Sequence, residues 1–124
     1  MRSTLTLAAI TLDCADPLAL AAFYGRATGL ALHPKSDDEF AGITRDDGLF
    51  IGFQRVDDYQ PPCWPGQSTP QQLHLDFAVE NIDIAEAMLL ELGAVKPEYQ
   101  PGGDRFRVLT DPAGHPFCLV PDRH

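Results

Sequence analysis

The feature that most constrains this chain is that it nearly repeats itself. Residues 38–56, DEFAGITRDDGLFIGFQRV, align with residues 104–122, DRFRVLTDPAGHPFCLVPD, at an offset of 66 positions. Asp38 meets Asp104, Phe40 meets Phe106, Thr44 meets Thr110 and Gly48 meets Gly114. The apolar positions Ile43/Leu109, Ile51/Phe117 and Phe53/Leu119 also coincide. Self-similarity of this kind marks a structural unit that is used more than once.

The residues around the repeat say what the unit is. A strand is expected over 5–13, with Ile10, Leu12 and Cys14 on one face and Ala9, Thr11 and Asp13 on the other. Asp16 is a good N-cap, Pro17 suits the first helical position, and Gly29 is a natural left-handed residue beyond the end of the helix. Three short strands follow, LALHP, EFAGITR and LFIGFQRV, the last two joined by the turn Asp46-Asp47-Gly48. Past residue 71 the order returns: a strand over 72–80, Asn81 as N-cap, a helix closed by Gly93, a strand at 94–99, and the strands DRFRVLT and HPFCLV around the turn DPAG. The expectation is an α+β chain of two βαβββ modules in one domain, 1–124. Module one covers 1–57 and module two 72–124. Between them, 58–71 is a linker by content, with Pro61, Pro62, Pro65 and Pro70 and no periodicity.

Composition removes several function classes. The 124 residues carry a formal net charge of −9, which argues against nucleic acid and suits a cationic small molecule. Cys14, Cys63 and Cys118 form no CxxC pair. The apolar run near the start breaks at Asp13 without a cleavage site, and no stretch is long enough to span a bilayer, so the expected location is the cytoplasm, with no membrane partner. There is no P-loop, GxGxxG or nucleophile elbow.

One strand carries chemistry. In QLHLDFAVEN, residues 72–81, Leu73, Leu75, Phe77 and Val79 make a core face, and His74, Asp76 and Ala78 point the other way. A histidine and a carboxylate two residues apart are half of a metal site, or an ordinary pocket-lining face.

DPLALAAFYGRATGL, HLDFAVENIDIAEAMLLELGA and LTDPAGHPFCLV, in this order and spacing, resemble the vicinal oxygen chelate superfamily of glyoxalase I, extradiol dioxygenases and bleomycin-resistance proteins. The resemblance implies that the modules curve into an open, cup-like eight-stranded sheet with the helices outside, and that a small ligand sits in the cup. It also implies a metal held by the first and last strands of each module. Those positions carry Ala9, Gly52, His74 and Cys118, of which two have no donor side chain. Asp76 and Asp13 lie off the expected depth. The expectation is therefore no metal and no cofactor, because a catalytic zinc site takes three protein ligands.

A four-residue turn that pairs Thr44 with Leu49, and Thr110 with His115, places Phe40 and Phe106 toward the helices. It places Ile43, Arg107 and Leu109 toward the cup. The candidate ligand-binding residues are then Asp13, Phe50, Gln54, His74, Asp76, Arg107 and Cys118, with Asp76 and His74 also able to do acid–base work. Trp64, in PPCWPG, is a further candidate ligand-binding residue as a lid; it is otherwise an interface residue or a plug in the gap between the two modules. His33, His115 and His124 lie at loop or terminal positions without ligand geometry. The expected function is binding of a small organic molecule by a glyoxalase-like homodimer, with drug sequestration or resistance as one form. The alternative is a metal-dependent lyase, isomerase or dioxygenase.

Overall fold

The structure is a computed structural model that describes residues 5–122, and His124 lies outside them. Contacts divide the chain into two compact units, Met1–Tyr59 and Gln60–His124.

Unit one runs β1 (Ala9–Cys14), α1 (Pro17–Thr28), β2 (Ala31–Leu32), β3 (Phe40–Thr44) and β4 (Phe50–Arg55). Its sheet has the order β1-β4-β3-β2, with β1 parallel to β4 and the other pairs antiparallel. The helix starts where Asp16, in extended backbone, accepts the Ala19 N–H at 3.1 Å, and it stops at left-handed Gly29, φ 76°. It buries Pro17, Leu20, Ala21, Phe23 and Tyr24 over the sheet, and the Tyr24 ring stacks on Phe53 at 5.6 Å. Each such aromatic side chain contributes roughly 1.5–3 kcal/mol through burial alone.

Unit two runs β5 (Leu75–Val79), α2 (Ile82–Leu92), β6 (Arg107–Thr110) and β7 (Pro116–Pro121), with the sheet order β5-β7-β6. Asn81 caps α2 by accepting the Ile84 N–H at 2.9 Å, and Gly93 ends it at φ 116°. The duplication extends to hydrogen-bond register: Thr11 pairs with Gly52 where Asp76 pairs with Cys118. The strand expected over 94–99 shrinks to a single bridge between Val95 and Thr110. The described residues therefore hold seven strands in two sheets of four and three, in place of the eight expected. The bridge nevertheless stands where β2 stands in unit one, since Ala31 pairs with Thr44. No helix among the described residues is long and apolar enough to cross a membrane.

The hairpin register differs from the expected one by a residue. Thr44 pairs with Phe50 and Thr110 with Pro116. Each loop is a tight turn closed by one further pair: Gly48 N–H reaches Arg45 O at 2.9 Å, and Arg45 N–H reaches Leu49 O at 2.9 Å. The 111–115 loop repeats the pattern, and Gly48 and Gly114 adopt φ of 96° and 92°. A type I turn followed by a left-handed glycine adds the extra residue. Because strand side chains alternate, this slip turns β3 and β6 over. Ile43 and Leu109 are fully buried on the helix side, and Phe40 lies on the opposite face.

Candidate functional site

The face of each sheet turned away from its own helix is called the open face. In unit one it carries Ala9, Thr11 and Asp13 of β1 and Phe50, Gly52 and Gln54 of β4, with Asp13 beside Gln54 in the parallel register. Phe40 and Phe50 stack on it with parallel rings 6.0 Å apart. Two glycines make this arrangement fit. A Cβ on Gly42 would lie 2.0 Å from Phe50 Cζ, and one on Gly52 would lie 2.7 Å from Phe40 Cζ. Gly52 is therefore the space taken by a phenylalanine ring, besides being a position without a donor. Beside the stack lies a cleft of about 230 Å³ lined by His33, Lys35, Ser36, Phe40, Gly42 and Phe50. The His33 ring meets Phe50 edge-on at 5.7 Å. Neither His33 nor Phe40 is a candidate on sequence grounds. The signal that points to Phe40 is the glycine at the third loop position, which marks a bulge.

In unit two the same register positions hold other chemistry. Cys118 replaces Gly52, Val108 replaces Gly42 and Pro116 replaces Phe50. Phe106, the counterpart of Phe40, packs over Gly102, where a Cβ would come within 2.5 Å of its ring. Cys118 is half-buried on the open face next to Asp76. His74 Nδ1 lies 3.0 Å from Asp76 Oδ1. Burial first, and then the neighbouring Asp76 carboxylate, push the Cys118 thiol up to about 11. One donor atom each from His74, Asp76 and Cys118 falls within 4.8 Å of the others. The structure thus draws together three of the residues singled out from sequence.

It places Arg107 elsewhere. Arg107 is not on the open face: it pairs with Leu119 on the helix side, because of the register slip. Its guanidinium donates to Glu86 and lies 3.5 Å from Asp83, both on α2, and its side chain is 14% exposed. The Glu86 hydrogen bond raises its pKa further. Arg107 therefore holds α2 to the sheet. Trp64 is half-buried with its ring 5.7 Å from Tyr99. A further Asp–His pair sits in the 111–115 turn, where buried Asp111 accepts the backbone N–H groups of Ala113 and His115 and lies 2.8 Å from His115 Nδ1. These bonds make it a turn-fixing group.

A family model described as a glyoxalase-like domain matches residues 9–120. No curated protein matches the chain significantly. Among solved structures, a possible glyoxalase from Bacillus cereus is 18% identical, with a TM-score of 0.69 and coverage of 94% of this chain and 99% of that one. A glyoxalase/bleomycin resistance protein/dioxygenase family enzyme from Burkholderia phytofirmans PsJN is also 18% identical, with a TM-score of 0.69 and coverage of 93% and 97%. The bleomycin-binding protein of Streptomyces verticillus, solved with copper(II)-bleomycin, is 18% identical with a TM-score of 0.59 and coverage of 98% and 100%. At these identities the likeness is one of fold.

Proposed function

Because the chain belongs to the glyoxalase-like domain family, we propose that it binds a small organic molecule bearing a flat apolar group, with the Phe40–Phe50 face of module one as the wall. The observation that carries this reading is the cleft of about 230 Å³ beside two stacked rings, edged by His33, Lys35 and Ser36. Aromatic stacking supplies affinity, and a few polar groups at the rim orient the ligand. The net charge of −9 favours a cationic ligand over an anionic one through the long-range field. Sequestration of a cationic drug is the form of this reading that a bleomycin-binding protein of like fold supports.

Calorimetry and thermal-shift measurements with planar cationic drugs and neutral aromatic compounds test it. The expected result is saturable binding by the full chain. Phe50→Leu should weaken it roughly 3–10-fold, the worth of one stacking contact, with the fold intact by circular dichroism. Binding by no compound, or equal binding by the Leu variant, overturns the reading. The enzyme alternative depends on a metal, and Ala9 and Gly52 offer none of the donors that the family pattern places there.

A further inference from the structure

We propose that His74, Asp76 and Cys118 form a divalent-metal site of the zinc class held entirely within module two. It is independent of the aromatic cleft. The family pattern draws its ligands from both modules, and in module one those positions are alanine and glycine. Here a residue outside that pattern, Asp76, completes the set.

The geometry is local and follows from register. Asp76 and Cys118 are direct partners on neighbouring parallel strands, so their side chains rise from the same face side by side. His74 lies two residues before Asp76, just ahead of β5, with its Nδ1 3.0 Å from Asp76 Oδ1. The three donor atoms lie within 4.8 Å of one another. Donors around tetrahedral zinc, with bonds of about 2.0–2.3 Å, sit roughly 3.3–3.8 Å apart, so small side-chain rotations close the site. The neighbouring residue on β6, Val108, carries no competing charge. His74 and Asp76 remain 42% and 53% exposed, which leaves the remaining coordination positions to water or a ligand. A set of one imidazole, one carboxylate and one thiolate suits zinc. It does not suit magnesium or calcium, which require oxygen donors.

The test uses the full chain, reduced and stripped of metal. Zinc is titrated by calorimetry. Cobalt(II) is titrated in parallel, and its thiolate charge-transfer and d–d absorption report sulfur ligation and tetrahedral geometry without any assay of activity. The expected result is one ion per chain with a charge-transfer band. Cys118→Ser should abolish the band while Cys63→Ser leaves it. Asp76→Asn should weaken zinc binding by about 10–100-fold or more, since losing even an indirect support of a metal costs that much. Calcium and magnesium should not compete. No binding at one equivalent, a band that survives Cys118→Ser, or zinc affinity unchanged in Asp76→Asn each overturns the proposal. Circular dichroism of each variant separates loss of the site from loss of the fold. If zinc binds but no aromatic compound does, the cleft reading alone fails; the reverse outcome removes only the metal site.

Discussion

The two modules share a register, caps and hairpin turns, and they differ in what their open faces carry. In module one, phenylalanines at 40 and 50 lie over glycines at 42 and 52. In module two, the position of Phe50 is Pro116 and that of Gly52 is Cys118, and donor atoms of His74, Asp76 and Cys118 gather there. Exchanging rings for donors at a few cross-strand positions turns an apolar platform into a polar cluster without altering the backbone. A duplicated fold can in this way carry two kinds of recognition, because each sheet stands on its own helix-side core.

The helices differ as well. Helix α1 buries five residues, whereas α2 buries Leu89 alone and leaves Ile84 70% exposed and Met88 40% exposed. Counted from their N-caps, Phe23 and Met88 occupy equivalent positions, and Phe23 is only 3% exposed. Denaturant unfolding should therefore separate them most strongly. Phe23→Ala should cost about 3–5 kcal/mol, the usual range for a buried aromatic, and Met88→Ala less than about 1. Equal losses would mean that α2 is as deeply packed as α1.

The next largest effect probes the ring-over-glycine arrangement. Gly42→Val puts a Cβ where Phe50 Cζ stands, at 2.0 Å, so the ring must leave. Overpacking of this sort costs about 1–3 kcal/mol. Adding Phe50→Ala should restore part of that loss, because it removes the ring that the new side chain meets, and module two carries a valine, Val108, at the register position of Gly42. A double variant no more stable than the single one would show that the clash is not with Phe50.

The smallest effect is chemical. With its thiol pushed from an ordinary 9.0 to about 11, Cys118 is protonated at pH 8 in the metal-free protein. That rise lowers the thiolate fraction roughly 100-fold, so alkylation should be slow at pH 8 and increase about tenfold for each step of one in pH until it flattens near 11. Asp76→Asn removes the carboxylate's share and leaves the burial, which is the larger cause. The alkylation curve should then move only part of the way down. Mass spectrometry that resolves Cys118 from Cys63 checks this, and an unmoved curve would separate Asp76 from the thiol.

Much of the architecture is legible in the sequence because it is written in neighbouring residues. Asp16, Asn81, Gly29 and Gly93 cap and stop the helices through bonds that span three or four positions. The repeat itself is visible as matched apolar and turn residues. The candidate site is legible only in part. His74, Asp76 and Cys118 each stand out, yet the ligand positions that the family resemblance implies leave Asp76 out, whereas the observed register sets it beside Cys118. Arg107 and Phe40 fall on the opposite faces from those expected, because each hairpin loop is one residue longer than a four-residue turn.

The two-module plan, the helix boundaries and the alternation within each strand follow from neighbouring residues alone, since all of these depend on short-range sterics and hydrogen bonds. The anchoring of a helix by Arg107, and the convergence of Asp76 of β5, Cys118 of β7 and His74 just ahead of β5, arise only on folding. Those outcomes depend on register between segments far apart in the chain, where a single left-handed glycine in a turn reverses every side chain beyond it.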